Sequence, residues 1–399
     1  MKRLLLLAIC CLAIPALYAA DFGFSLDNLS SLTNTNNFQL SQKDRAEAWV
    51  SSTGDTYAFQ IDGFYEFNGD FNASGSAIIP YRFDVGRTYL YLLFPRLIDN
   101  SGIGVLTLGR FDMSDNVNRI VSGLSDGAQF ALKFASSELT LQAGYTGLIN
   151  KTDANIVISQ SDLNESFDPI YYFAPTRVFA GFKAKFLEVL DRHDFDVELH
   201  GQFDLRPNDV QNTQYLEVGM EGRPERWFKW RAYVIGEAWE NPIFNLSAAV
   251  GVRFQFSIPE AAGLVILINA DWASGSSGGL RAYAPLNQTP VAFIYRASFT
   301  DIIATSLNAT IRPVEGINTG LSAYGLFRAS NNLPSDPLFP AGSNSLFLGF
   351  EALLNADITI TSDLLLTIRA GGFFPNTSDA YLPGTPSRWL ANIDLKLSI

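Results

Sequence analysis

The 399-residue chain contains only two cysteines, and both, Cys10 and Cys11, lie within its first twenty residues. Without a cysteine after residue 20, the rest of the chain can form no disulfide, thiolate nucleophile or cysteine-ligated metal site. This absence argues against a small secreted domain held together by disulfides, because such domains are rich in cysteine.

Histidine is equally scarce, since His193 and His200 are the only two. His193 lies in a predicted turn, whereas His200 shares a strand face with Glu198, and that pair resembles half of a proton relay. An outer-membrane phospholipase would also need a serine nucleophile on the lipid-facing rim. Two histidines also disfavour a transition-metal site. We therefore expect no enzyme activity, no cofactor and no metal.

Long apolar runs are missing beyond the first twenty residues. The longest, around Leu264 to Ile268, is far shorter than the roughly 20 residues of a membrane-spanning helix. Yet 47% of the residues are hydrophobic, with 31 phenylalanines and 15 tyrosines, and only 17% are charged. A high aromatic content without apolar helices indicates a protein built from strands.

The first twenty residues have the pattern of a cleaved signal peptide. Lys2 and Arg3 form a basic start, Leu4 to Ile14 an apolar stretch, and Pro15 to Ala20 an exit of small residues. We therefore predict a signal peptide over residues 1–20, followed by one domain over residues 21–399.

Acidic residues outnumber basic ones. Without Lys2 and Arg3, the 28 basic and 40 acidic residues give a formal charge of 26 − 40 = −14. Nucleic acid is therefore disfavoured as a partner, because its binding depends on Lys and Arg at the phosphates. The acidity is compatible with a water-filled passage and favours a mild cation preference, which arginines inside the passage could reverse locally.

Apolar and polar side chains alternate without interruption from Trp389 to Ile399, at the end of the chain. The segments Tyr57–Asn68, Phe195–Leu205 and Phe244–Phe256 show the same pattern, each with one apolar face. Alternation over about ten residues, repeated many times, is typical of strands in a closed barrel in a lipid bilayer. The sequence thus predicts an all-β fold, a transmembrane antiparallel β-barrel over residues 21–399. A plugged transporter of about 22 strands would need a longer chain, so no separate plug domain is expected.

Short and long connections alternate along the chain, as they do between the periplasmic turns and outer loops of such barrels. The predicted short turns are Thr53–Asp55, Pro95–Gly102, Ser136–Ser137, Leu187–Asp194, Arg223–Arg226, Ile258–Ala262, Val314–Gly316 and Thr361–Asp363. The predicted outer loops are Gly69–Ala77, Asp112–Gly127, Ile149–Thr176, Arg206–Asn212, Ser274–Ser298, Ala329–Ser343 and Pro375–Ser387, with Glu240–Pro242 as a short exception.

These connections imply sixteen strands joined by eight turns, plus the terminal strand, which is an odd total. The first of these strands would also start outside the cell. One more strand at Phe22–Asp27, followed by an outer loop over Asn28 to Asp44, removes both faults. We therefore predict about eighteen strands, with sixteen as the alternative if two weak segments are not strands.

The third predicted outer loop, Asp112–Gly127, follows a strand that ends Leu108-Gly109-Arg110-Phe111. A Gly-Arg strand end, an acidic loop and a glycine at the loop exit resemble bacterial outer-membrane porins, and the terminal strand resembles their assembly signal. The resemblance implies that this loop folds into the barrel and narrows the pore. The matching residues are Gly109, Arg110, Asp112, Asp115, Asp126 and Gly127.

Charged side chains around a narrow waist set the selectivity of a pore, because their fields are weakly screened there. The candidates for such a constriction are Arg82, Asp84, Arg110, Asp112, Asp115, Arg119, Asp126, Lys183, Lys185, Glu198, Arg253 and Arg369, and Glu351 has the same inward parity. For any one of them the alternative is a purely structural pairing with a neighbouring strand.

The function that these patterns favour is a porin-like channel of the bacterial outer membrane for passive diffusion of small hydrophilic solutes and ions. Its expected partners are membrane lipid and these solutes, and a homotrimer is possible. One alternative is a substrate-specific transporter resembling the long-chain fatty-acid transporters, with a hatch at residues 21–44. The other is a surface adhesin anchored by the barrel, with its long outer loops contacting a host.

Overall fold

The structure, a computed structural model, describes residues 20–34, 38–72, 75–98, 102–167, 172–207, 210–241, 243–276, 279–287, 289–330, 345–378, 380–381 and 385–399. Apart from Ala20, the expected signal peptide lies outside these residues and stays a prediction. Among the described residues, no helix has both the length and the apolar character needed to cross a bilayer.

In the described part of the chain, eighteen strands form one sheet, in which each strand pairs antiparallel with its neighbours in sequence. The last strand also pairs with the first, so the sheet closes into a barrel, as predicted. The strands are β1 (Ala20–Asn34), β2 (Phe38–Thr53), β3 (Tyr57–Asn72), β4 (Gly75–Ile98), β5 (Gly102–Ser114), β6 (Ser122–Lys133), β7 (Ser137–Tyr145), β8 (Arg177–Leu190), β9 (His193–Asp204), β10 (Asn212–Glu225), β11 (Phe228–Asn241), β12 (Ile243–Ile258), β13 (Leu264–Ala273), β14 (Ile302–Val314), β15 (Ile317–Arg328), β16 (Phe347–Thr361), β17 (Leu364–Pro375) and β18 (Arg388–Ser398). Two short helices, α1 (Lys151–Ala154) and α2 (Gln160–Phe167), lie between β7 and β8.

The alternation of side chains sorts each strand into an outer and an inner face. In β9, Leu199 and Phe203 are 51% and 43% exposed on the outside, whereas Glu198 and Gln202 are fully buried on the inside. The same parity holds in β12, where Phe244 and other even-numbered apolar residues are exposed. The predicted apolar outside and polar inside are confirmed.

All eight predicted short turns connect strands near their predicted positions, and the short Glu240–Pro242 connection also separates two strands. Three predicted outer loops are wrong in extent. The segment Asn28–Asp44 lies mostly in β1 and β2, and the predicted loops Gly69–Ala77 and Asp112–Gly127 are largely strand. The polar residues there pair across the hairpin, since the Asn28 amide donates to Asp44 at 2.5 Å and the Ser30 hydroxyl to Gln42 at 2.7 Å.

The same hairpin excludes the predicted hatch at residues 21–44. Within this segment, Asp21 to Asn34 and Phe38 to Asp44 belong to β1 and β2, which pair with each other in register. They are therefore part of the barrel wall, and no separate plug is formed by the described residues.

The apolar core lies inside the barrel, between inward-folded loops and the wall. One cluster joins Val117, Ile120, Tyr283 and Phe299 of the loops to wall residues such as Ile235. A second cluster joins Met113, Ile149, Ala154 and Leu286 to wall residue Phe179. Because both clusters combine residues from several loops, these loops form one packed layer across the interior.

A charge on the outer face tests the assignment of the two faces. We expect Leu199→Arg to destabilise the barrel in phospholipid vesicles by about 2–4 kcal/mol, because an arginine at mid-membrane depth loses its hydration. Denaturant titration of the refolded protein measures this change. Asn308→Arg is the matched control on the inner face of β14, and an equal loss of stability in both variants would contradict the assignment.

Candidate functional site

Asp115 organises the third outer loop, residues 115–121, called loop 3 below. Its carboxylate is almost fully buried and accepts hydrogen bonds from four backbone N–H groups of the same loop. The donors are Val117 at 3.2 Å, Arg119 at 2.9 Å, Ile120 at 3.0 Å and Val121 at 2.8 Å. A carboxylate that receives four N–H groups folds the loop back on itself.

Loop 3 crosses the interior of the barrel. On one side the Asn116 N–H donates to Glu198 of β9 at 3.0 Å, and the Lys183 ammonium of β8 donates to the Ser114 carbonyl. On the other side the Arg119 guanidinium pairs with Asp271 of β13 at 2.5 Å. Because β13 lies far around the wall from β5 and β6, the loop spans the lumen. The inward fold implied by the porin resemblance is confirmed.

Loop 4, residues 146–176, is tied to the wall by ion pairs. Arg82 of β4 pairs with Asp153 of α1, and burial raises the pKa of the Asp153 carboxyl. Arg177 and Asp162 form a fully buried pair at 2.9 Å. Arg206 donates to Asp162 at 2.5 Å, and its hydrogen bond to Asp204 raises the pKa of its guanidinium.

Loop 7, residues 274–301, lies against loop 3 and against the inner face of β16. The Tyr283 hydroxyl donates to the Arg119 carbonyl at 2.7 Å, and burial raises the pKa of this phenol well above its usual value. Farther along, the carboxylate of Glu351 on β16 accepts the N–H groups of Phe293, Ile294 and Tyr295 at 2.7–3.0 Å. Glu351 therefore fixes loop 7 as Asp115 fixes loop 3.

Most of the sequence-predicted candidates are engaged in local pairs. Arg110 donates to Asp126 at 2.8 Å and lies 3.6 Å from Asp84, which also accepts from Tyr172. Similar close contacts are Asp112 with Arg87 at 2.6 Å, Lys185 with Glu221 at 2.9 Å, and Arg253 with Asn269 at 3.0 Å. The candidates therefore do not form one continuous ring of free charges.

Arg369 differs, because it lines a cavity of about 770 Å³ between loop 7 and the inner faces of β1, β2, β17 and β18. Arg296 and Arg388 line the same cavity, together with aromatic residues. The Arg369 guanidinium lies 5.7 Å from the Phe293 ring centre, and the Arg388 guanidinium lies 5.3 Å from the Tyr295 ring centre. No carboxylate lines the cavity among the described residues, so its surface is basic.

Two of these arginines were not among the residues predicted from the sequence. Arg388 has the same parity as the inward residues Leu390 and Asn392, so extending the terminal strand by one residue identifies it. Arg296 lies in loop 7, where no periodic pattern tells whether a side chain enters the lumen. Asp271, which holds loop 3, was missed for a related reason: its partner Arg119 lies far away in sequence. Asp162 lies within a predicted loop, where alternation assigns no inward or outward face.

Comparisons with known proteins support the fold at low sequence identity. No family model and no curated protein matches the chain. The structure is similar to that of Pseudomonas aeruginosa OpdL, with a TM-score of 0.60 and 11% identity over 96% of this chain and 99% of that one. It is also similar to Pseudomonas aeruginosa OpdQ, with a TM-score of 0.59 and 11% identity over 95% and 98% of the two chains. A third match is Pseudomonas aeruginosa OccK2 (OpdF) in complex with glucuronate, with a TM-score of 0.56 and 12% identity over 96% and 99%.

Removing the Asp115 carboxylate tests its role in loop 3. We expect Asp115→Ala to reduce the hydrogen-exchange protection of Val117–Val121 by roughly 5- to 150-fold, since each buried N–H left without an acceptor costs about 1–3 kcal/mol. Mass-spectrometric hydrogen exchange measures the change. Asp112→Ala removes an exposed acid just before the loop and should leave this protection unchanged, so equal losses would argue against the assigned role.

Proposed function

We propose that the protein is an outer-membrane channel for passive diffusion of small hydrophilic solutes, narrowed by loops 3, 4 and 7. The observation that carries this proposal is the closed barrel with an apolar outside, a polar inside and three loops folded into its lumen. A wall of eighteen strands encloses more space than its own side chains fill. Passage through such a lumen requires no catalytic step and no cofactor.

The similar structures support the same function. OpdL, OpdQ and OccK2 belong to a group of substrate-specific outer-membrane porin channels for small solutes. Because the identity of these three structures to this chain is only 11–12%, the likeness supports the fold directly and the transport function by analogy. Membrane lipid around the barrel and small solutes inside it are the corresponding partners.

The twelve sequence-predicted residues remain our proposed constriction set. Among them we give Arg369 the main role, because it lines the open cavity beside loop 7. The free space of this cavity is lined by Arg369, Arg388 and Arg296 and by no described carboxylate. Small solutes with a carboxylate should therefore be attracted, because arginine matches a carboxylate in both charge and geometry. OccK2 was crystallised with glucuronate, a solute of this kind. Within the cavity, the three arginines therefore reverse the mild cation preference suggested by the net charge of the chain.

The adhesin alternative has less support. Loops 4 and 7 are the long loops on which it depends, but their described parts fold into the lumen and pack on wall residues. A loop that contacts the inner wall has less surface to offer to a host molecule.

A polar patch on the outer face supports self-association, in which a trimer is one possible state. Asn28, Ser30, Gln42 and Asp44 are hydrogen-bonded together on the face that exposes Phe24 and Leu26. In the β1–β2 register the apolar pairs Leu26–Ala46 and Leu32–Leu40 lie on either side of the patch. Polar groups within a lipid-facing band are costly, so we propose that a second copy of the chain covers them.

Replacing Arg369 tests the solute preference. We expect Arg369→Gln to shift the reversal potential in a salt gradient towards cation selectivity and to reduce glucuronate flux several-fold, because one cavity cation is lost. Planar-bilayer recordings and flux into proteoliposomes measure both. Arg312→Gln, which removes an arginine near a β14–β15 turn, is the matched control. A folded wild-type barrel without stepwise conductance would reject the channel and favour an anchor.

Replacing the polar patch tests self-association. We expect the wild-type protein to contain more than one copy per particle in mild detergent, and Asn28→Leu/Asp44→Leu to shift it to a monomer, because the polar contact is lost. Light scattering coupled to size-exclusion chromatography measures the number of copies. Leu199→Ala on the far outer wall is the control, and a monomeric wild-type protein would reject the proposal.

A further inference from the structure

Three buried carboxylates lie together on the inner faces of β9 and β10. They belong to Asp196, Glu198 and Glu217, and one oxygen of each lies within 4.8 Å of the others. All three side chains are fully buried, unlike the arginines of the basic cavity. The group is therefore a separate feature of the lumen, away from the cavity assigned to solutes.

The cations next to this group are too few to balance it. Arg231 pairs with Asp196 at 2.9 Å and with Glu217 at 3.2 Å, and Lys183 lies 3.8 Å from Glu198. Two permanently charged cations thus face three carboxylates among the described residues, and His200, which contacts Glu198, is charged only when protonated. Buried carboxylates require matching charge or ligands, since they are cut off from water.

Two carboxylate oxygens of the group also lack a donor. Asp196 Oδ1 and Glu217 Oε2 are buried and have no hydrogen-bond partner among the described residues. By contrast, both oxygens of Glu198 are engaged, one with the Asn116 N–H at 3.0 Å and the other with His200 Nε2 at 2.7 Å. The group therefore combines an excess of negative charge with two unused oxygens.

We propose that Asp196, Glu198 and Glu217 bind a hard divalent cation, Ca²⁺ in the first place. Carboxylate oxygens are the ligands that Ca²⁺ prefers. The nearby His200 contacts Glu198 through Nε2, so the three carboxylates are the ligands that the site offers. A divalent ion supplies the missing positive charge and partners for the two oxygens. This proposal does not depend on which solute the channel carries.

The proposed site also connects to loop 3. Glu198 is one of the three carboxylates and also accepts the Asn116 N–H of that loop. A bound cation holds the Glu198 carboxylate in place and thereby stabilises the attachment of loop 3 to the wall. Ion binding should therefore reduce hydrogen exchange in residues 116–121.

Calcium titration of the refolded full-length barrel in detergent, stripped with EDTA at pH 7.5, tests the proposal. We expect one Ca²⁺ per chain by calorimetry, with a dissociation constant on the order of 10⁻⁴ M or tighter. Glu217→Gln and Asp196→Asn should each weaken binding at least tenfold. Asp357→Asn is the matched control, because Asp357 is a carboxylate on distant β16 that accepts from Thr367 at 2.7 Å. Mn²⁺ or Mg²⁺ binding that is lost in the same two variants would also support the site.

The folded state of each variant is checked by heat-modifiable electrophoresis and circular dichroism, so that loss of binding is not confused with loss of fold. Absence of calcium binding by the folded wild-type protein would overturn the proposal, and so would unchanged binding in Glu217→Gln and Asp196→Asn. Conductance is measured on separate samples. A negative calcium result would therefore leave the channel proposal standing, and a silent barrel that binds calcium would reject the channel alone.

Discussion

Closure of the sheet is the constraint on which the rest of the structure depends. The backbone N–H of Phe24 donates to the Ile399 carbonyl at 2.9 Å, and the Ile399 N–H donates to the Phe24 carbonyl at 2.8 Å. These bonds and the β1–β18 ladder leave no free edge in the sheet that the described strands form. In a medium without water, an open edge would leave backbone groups unpaired, which a barrel avoids. Closure also makes one face of every strand the outer surface of the barrel and the other face its inner surface.

Inside this wall, buried carboxylates fix the inward loops together with the two apolar clusters. Asp115 folds loop 3 by accepting four backbone N–H groups, and Glu351 holds loop 7 through three consecutive N–H groups. In loop 4, Asp162 accepts the N–H groups of Ile158 and Ser159 and pairs with Arg177. Each inward loop thus depends on a carboxylate that accepts its backbone N–H groups, because charge-assisted hydrogen bonds are strong.

This use of carboxylates explains how an acidic chain has a basic cavity. Many of its acidic side chains are held by backbone N–H groups or by ion pairs with neighbouring strands, and their charge is neutralised where they lie. Arg296, Arg369 and Arg388 line the free space of the cavity. Net charge therefore describes the composition of the chain, whereas the local field in the lumen depends on which charged groups line it.

By itself the sequence determined the barrel. Side chains in a strand alternate between two faces with a period of two, so apolar residues on one face and polar residues on the other are visible in the sequence. The strands from Tyr57, Phe195, Phe244 and Trp389, the eight turns and the total of eighteen were predictable for this reason. The same rule failed at Asn28–Asp44, where polar residues occupy the outer face and resemble a loop. Only the tertiary structure decided where the loops go and which charges they meet. Arg119 pairs with Asp271, and the Asn116 N–H donates to Glu198, inside the lumen. Contacts between residues so far apart in sequence leave no local pattern.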